Sequence, residues 1–184
     1  MRDLSLHILD LMQNSIRAQA ALVKLDVSLS EAGLMTVVIE DDGTGMSQEL
    51  LARVTSPFAT TRTTRKVGLG IPMMAENCRL AGGDLRIESE LGRGTVLTAT
   101  LDTKSIDCLP LGDLASTMAT IVMGSPDKPE FSISCSSPAG EMSFSTEEIR
   151  PALEGVSLAE PEVVQWIQQS LQEEIEPILG GIMR

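Results

Sequence analysis

Near the amino terminus, His7, Asp10, Asn14 and Arg17 recur at intervals of three and four residues. That spacing puts an imidazole, a carboxylate, an amide and a guanidinium on one stripe of a helix. Such a stripe can activate a nucleophile and hold a phosphorylated ligand, or it can be an ordinary solvated face. A second group, Glu40-Asp41-Asp42-Gly43-Thr44-Gly45-Met46, sets carboxylates beside a Gly-x-Gly. There the backbone can approach a flat ligand while an acid accepts a hydrogen bond from it, although Asp-Gly pairs also favour plain turns. In a third, Val67-Gly68-Leu69-Gly70-Ile71, glycines fall where a helix should begin. Free N–H groups and the helix dipole favour an anion at such a point. Arg62, Arg65 and Lys66 precede it, and no acid occurs between Glu49 and Glu76, so the stretch is locally positive. The alternative is a solvated loop running into a helix. Neither the GxxxxGK[ST] phosphate loop nor the Rossmann glycine fingerprint is present.

These groups are separated by recognisable elements. Leu4 to Ala20 has helical spacing, with Asp3 as N-cap. Val23 to Leu29 and Met35 to Glu40 alternate and read as a hairpin around Glu31-Ala32-Gly33. Ser47 to Thr55 is a short helical stretch, and Ser56 to Gly70 is a long loop without period. Ile71 to Ala81 resumes helical spacing until Gly82-Gly83 stops it. Asp84 to Glu90 and Thr95 to Leu101 read as two further strands. This order predicts an α+β fold: a two-layer α/β sandwich, a mixed sheet with helices on one face. Further on, Ala119 to Met123, Phe131 to Cys135 and Glu141 to Phe144 read as three short strands, a small β-meander appended at the C-terminal end. A helix from about Pro161 places Val163, Val164, Ile167, Leu171, Ile175 and Ile178 on one face. That face either docks on the tail's own sheet or meets a partner.

Charge divides the 184 residues unevenly. The formal net charge is -12, yet residues 1–104 hold 13 acids against 11 bases, whereas residues 105–184 hold 13 against 3. The break near Thr103 to Gly112 predicts two domains, 1–104 and 105–184. Overall acidity opposes non-specific nucleic-acid binding, and an aromatic content of 2% without tyrosine leaves few stacking platforms. The apolar runs are too short to span a membrane, and no secretory pattern opens the chain. Three cysteines without a CxxC, and one histidine, fit neither a disulfide framework nor a zinc site. Reduced thiols in a cytoplasm are the expectation.

In order, the pieces resemble the GHKL superfamily, whose Bergerat-fold domain binds ATP in histidine kinases, anti-sigma serine kinases, gyrase, heat-shock chaperones and mismatch-repair ATPases. Leu9-Asp10-Leu11-Met12-Gln13-Asn14-Ser15-Ile16-Arg17-Ala18 is similar to the N box, and Asp41-Asp42-Gly43-Thr44-Gly45 to the first glycine box. Ser56-Pro57-Phe58-Ala59-Thr60-Thr61 looks like the F box, Gly68-Leu69-Gly70 like the second glycine box and Gly92-Arg93-Gly94-Thr95 like the last. The resemblance covers roughly residues 3–102. It implies ATP and Mg²⁺ as cofactors, with Asn14 supplying an amide oxygen to the metal. Asp41 would accept the adenine amino group, Gly43 and Gly45 would shape the base pocket, and Thr95 would hold a water. Gly68 and Gly70 would turn N–H groups towards the phosphates, whose charge Arg62, Arg65 and Lys66 would balance. Asp10 takes the place of a general base that is glutamate in hydrolytic and serine-kinase relatives.

The chain opens directly on the N-box helix, so histidine autophosphorylation in the usual way is not expected. The resemblance implies a bacterial, stand-alone regulatory kinase of the serine/threonine anti-sigma type, or a slow ATPase, acting on a partner protein. The alternative is a nucleotide-gated binding module with little turnover. The opening Leu4 to Asp10 also looks like small ATPases encoded beside iron hydrogenase subunits, which implies a regulator or redox-enzyme subunit as partner. A homodimer is compatible with all of these readings.

Overall fold

The computed structural model describes residues 2–54 and 70–183. Its elements, in chain order, are α1 (Leu4–Arg17), β1 (Leu22–Leu29), β2 (Leu34–Asp41), α2 (Gln48–Val54), α3 (Gly70–Leu80), β3 (Leu85–Glu90) and β4 (Gly94–Asp102). There follow α4 (Leu114–Gly124), β5 (Glu130–Ser137), β6 (Gly140–Ser145), the single turn α5 (Thr146–Ile149) and α6 (Pro161–Leu179). One six-stranded sheet runs in the order β3-β4-β2-β1-β5-β6. It is mixed: β1 pairs with β5 in parallel, and the other four pairings are antiparallel.

Strand alternation explains why the helices share a face. Val23, Leu25 and Val27 of β1, Met35, Val37 and Ile39 of β2, and Leu97, Ala99 and Leu101 of β4 are buried. Their neighbours Lys24, Asp26, Ser28, Thr36, Thr98 and Thr100 stay partly or fully exposed. Successive residues point to opposite faces, so one side is a core and the other a polar surface. On that polar side Lys24 pairs with Glu40 at 3.1 Å and Ser134 Oγ donates to Asp26 at 2.7 Å. The expected two-layer sandwich is therefore what the chain forms.

The tail departs from expectation at one element. Ala119 to Met123, read as a strand, lies inside α4. A short apolar run carries no decisive period, and here Asp113 supplies the deciding signal. Its carboxylate accepts from Ser116 N at 2.8 Å and caps the helix start. Leu114, Ala115, Met118, Ile121 and Val122 then fall on buried positions. The expected meander is accordingly a helix followed by the β5–β6 hairpin. That hairpin is joined to β1, with Val23 opposite Phe131, Leu25 opposite Ile133 and Val27 opposite Cys135. The apolar face of α6 is buried through Val163, Ile167, Leu171, Ile175 and Leu179, as the docking reading requires.

Tail and N-terminal helix are also stitched by backbone. Pro110 O accepts from Leu4 N at 2.9 Å, Leu111 O accepts from Ser5 N at 2.8 Å, and Leu111 N donates to Ile182 O at 2.7 Å. The first amides of a helix have no intrahelical acceptor. Those of α1 obtain theirs from the tail and from Asp3, whose carboxylate accepts from Leu6 N at 3.1 Å. At its other end α1 stops at Arg17, short of Ala20, because Gln19 adopts a φ of 57°.

Burial pushes the thiols of Cys78 and Cys135 up to about 12, so neither is a reactive thiolate at neutral pH. Among the described residues no helix is long and apolar enough to cross a membrane. The charge break near residue 104 does not interrupt the sheet. Replacing Phe131, fully buried between β1 and the helices, with alanine should destabilise the chain by about 3–5 kcal/mol. The loss should appear in one transition, with far-UV circular dichroism and Trp166 fluorescence coinciding. A tail melting on its own would refute this linkage.

Candidate functional site

Under the C-terminal half of α1 lies a cavity of about 340 Å³. That volume falls at the lower end of the roughly 300–1,000 Å³ usual for small-molecule sites. Leu11, Ile39, Met46, Val54, Ile71 and Leu97 make apolar walls, and Asn14, Ser15, Asp41 and Thr95 supply the polar groups. The helical stripe, the Gly-x-Gly segment and the family resemblance pointed to Asn14, Asp41, Gly45 and Thr95, which come from three separate segments. The fold brings all four to this one cavity.

Asp41 closes β2 and is only 8% exposed. Its Oδ2 accepts from Ser15 Oγ at 2.6 Å and its Oδ1 accepts from Gly43 N at 3.0 Å. An ionised carboxylate has about four acceptor positions, so those not used by the chain are available to a ligand donor. Asp42, next in sequence, has a different task. Its Oδ1 accepts from Ala21 N at 2.7 Å and Leu22 N at 2.9 Å, tying the start of β1 to the end of β2. The sequence offers three adjacent acids, Glu40, Asp41 and Asp42, and the end of β2 turns only Asp41 inwards, with the other two exposed.

The glycines act on each other as much as on the cavity. Gly45 has a φ of 65°, and a Cβ there would lie 2.0 Å from Glu90 O. Gly94 has a φ of 107°, and its Cβ would lie 1.9 Å from Asp41 O. Both positions exclude a side chain, because backbone from the other glycine segment fills the space. Beside them, Met46 N donates to Ser89 Oγ at 2.8 Å, and the hydroxyls of Ser89 and Thr95 meet at 2.9 Å. Ser89 thus orients Thr95 at the cavity edge. Gly43 is buried, with Ala18 O and the Asp41 carboxylate against the place of its missing Cβ.

The helical stripe grades from core to solvent. His7 is 1% exposed, Asp10 and Asn14 are half-buried and Arg17 is exposed. Asn14 Oδ1 accepts from Arg17 Nη1 at 3.1 Å. Asp10 faces the start of α3, where a Cβ on Gly70 would lie 2.5 Å from Asp10 Oδ2. His7 Nε2 meets Asn77 Nδ2 of α3 at 2.9 Å, and its buried Nδ1 has no hydrogen-bond partner among the described residues. Arg62, Arg65, Lys66 and Gly68, with the F-box-like segment, lie outside the described residues.

Ser15, Ser89, Asn77 and the walls Met46 and Ile71 were not singled out as site residues. Ile71 follows the apolar period of α3, and Ser15 occupies a core position of α1, so each had a packing signal but no chemical one. Ser89 and Asn77 had none, since Ser89 matters by joining Thr95 to Met46, 43 residues before it, and Asn77 through His7, 70 residues away.

Residues 2–105 match the family described as histidine kinase-, DNA gyrase B- and HSP90-like ATPase. The chain belongs to that family, the GHKL superfamily, and carries its ATP-binding domain. Among relatives, it is 32% identical over 98 residues to sporulation kinase C of Bacillus subtilis, covering 53% of this chain and 23% of that protein. It is 34% identical over 95 residues to sporulation kinase D of the same organism, covering 51% and 19%. The chain thus spans less than a quarter of the length of these relatives. Of solved structures, it is similar to a topoisomerase IV ATP-binding domain of Francisella tularensis, with a TM-score of 0.46 and 16% identity. That match covers 79% of this chain and 86% of the other.

Burial lowers the pKa of His7 from 6.5, and the carboxylates of Asp3 and Asp10 only partly oppose it. Because the folded value is depressed, the unfolded chain binds this proton first as pH falls. Its contribution to stability is complete above about pH 6.5 and is lost as pH drops through the folded value. In His7→Gln, which cannot titrate, the urea midpoint should fall less between about pH 7.5 and 5.5 than in the parent chain. Parallel curves would show that His7 does not contribute.

Proposed function

We propose that this chain binds ATP with Mg²⁺ in the α1–β2 cavity and turns it over slowly. It would do so as a regulatory kinase directed at a protein hydroxyl, or as an ATPase acting on a partner protein. One observation carries the reading. A buried carboxylate, Asp41, is held on both oxygens by Ser15 and Gly43, and its remaining acceptor positions belong to a cavity with apolar walls. A flat base carrying an exocyclic amino group suits that environment, since its ring is buried by aliphatic side chains while its donor finds a fixed anion.

The remaining groups take roles consistent with their positions. Thr95, oriented by Ser89, can hold a water beside the base. Asn14 offers Oδ1, a hard oxygen suited to Mg²⁺, once Arg17 releases or shares it. The metal when bound would neutralise phosphate charge, and one protein oxygen is enough because phosphates and waters complete its shell. Gly70 heads α3, whose first amides favour an anion. Arg62, Arg65, Lys66 and Gly68 would complete the phosphate contacts. Asp10, opposite Gly70, would accept the proton of an attacking hydroxyl or water as its oxygen bonds to the γ-phosphorus, while the bond from that phosphorus to the β,γ-bridging oxygen breaks and ADP leaves with the electron pair. Aspartate is one methylene shorter than glutamate, so the nucleophile must come closer or a water must relay the proton.

The sites of partner contact and pairing belong to the same proposal. Residues 105–184 carry most of the net negative charge, with 13 acids against 3 bases, and would present an acidic surface to a regulator or redox-enzyme subunit, in a cytoplasmic setting. A homodimer is compatible with that arrangement.

In Asp10→Asn, turnover should fall by about 100-fold or more while ADP affinity stays within about twofold. Retained turnover would remove Asp10 from the mechanism. Asp41→Asn should weaken ATP by about tenfold or more, the value of a charge-assisted hydrogen bond. Isothermal titration showing unchanged affinity would reject the purine site. Gly70→Ala should displace the Asp10 carboxylate while the helix tolerates alanine, so turnover should drop without loss of melting temperature. An undiminished rate would show that the Asp10–Gly70 approach does not matter.

A further inference from the structure

Two helices that do not adjoin in sequence share the phosphate end of the proposed site. α1 brings Asp10 and Asn14, and α3 brings Gly70 at its first position. Their separation must be set to a few tenths of an ångström for one ligand to touch both. Apolar contacts alone specify that position less sharply, because hydrophobic cores lose a unique arrangement before they lose stability. α1 and α3 pack against each other, with Ile8 buried on α1 and Met74 and Cys78 buried on α3, and between the two helices the side chains of buried His7 and part-buried Asn77 meet.

We infer that the His7–Asn77 pair is a positioning clamp that registers α3 against α1 and so places the phosphate-binding end of the site. The inference rests on the nucleotide reading above. Its geometry is simple. His7 lies one turn before Asp10, and Asn77 lies two turns after Gly70. The 2.9 Å His7–Asn77 contact and the close Asp10–Gly70 approach thus tie α1 to α3 at two separate points. Sliding either helix by a residue would strand a buried ring nitrogen and a part-buried amide without each other, a cost that apolar residues would not impose. A second observation is independent of the pairing. His7 Nδ1 is already buried without a partner among the described residues, so the interface keeps an imidazole where an apolar side chain would pack without that cost. Stability alone does not account for this choice; register does.

The test separates register from packing by comparing two ligands of the same pocket. AMP reports the base end, and ADP adds the second phosphate, which depends on where α3 begins. His7→Leu and Asn77→Leu should each lower ADP affinity by about tenfold, with AMP within about twofold and the melting temperature not lowered in His7→Leu. The double variant should be no worse than either single one, since the two act as a unit. His7→Gln, whose amide can still reach Asn77, should restore ADP binding. A fall of AMP and ADP in parallel, an unchanged ADP-to-AMP ratio, or additive losses in the double variant would each overturn the clamp. Should Asn77→Leu fail to fold, the comparison of His7→Leu with His7→Gln decides alone. If Asp41→Asn leaves AMP binding intact, the nucleotide reading itself fails, a result distinct from failure of the clamp.

Discussion

Everything in this molecule is referred to the seat of α1 across one face of the sheet. Leu4, Ile8, Leu11 and Met12 are buried in the layer between helix and strands. Ser15, on the same face one turn further, turns that apolar contact into a hydrogen bond with Asp41. The next stripe around the helix then falls at the boundary between the layers. There Asp10 and Asn14 are neither immobilised in the core nor lost to solvent. A helix that shifted or rotated would break the Ser15–Asp41 bond and withdraw Asn14 from the cavity together. Binding geometry and core packing are consequently the same constraint.

That seat is secured from outside the matched region. The tail's carbonyls at Pro110 and Leu111 satisfy the first amides of α1, and α4 packs against the same helix. β5 completes the pairing of β1, so the acidic segment shares a sheet with the nearly neutral one. The uneven charge remains meaningful for the ligand: an anion meets a site formed by the less acidic residues, despite the net -12. Its value as a guide to architecture is smaller, because charge marks solvent faces and hydrogen bonding between strands ignores it.

The strands before residue 104 could be read because each alternates and each turn carries its glycine. The β1–β2 hairpin and the run from β3 to β4 follow from that period alone. In the tail the period failed at Ala119 to Met123, where Thr120, Ile121 and Val122 are β-branched yet helical. Asp113 capping and burial against α6 outweigh so small an intrinsic preference. For the site, Asp41, Asn14, Gly45 and Thr95 were legible as boxes of the right residue types in the right order. The restraints on them were not: Ser89 orienting Thr95 and Asn77 holding His7 depend on partners six and seventy residues away.

Local order in the chain was enough to define the kinds of element before residue 104, the box residues and the family, because alternation, helical spacing and glycine placement are short-range properties. That Ser15 and Gly43 would hold the Asp41 carboxylate, how far His7 would be buried, and that β5 would join β1 depended on packing. Each requires knowing which surfaces meet, and contacts between segments far apart in sequence leave no periodic trace in either segment. The stripe of His7, Asp10, Asn14 and Arg17 shows the division most clearly. Its spacing placed four polar groups on one face, and only the arrival of α3 made that face part core, part site and part solvent.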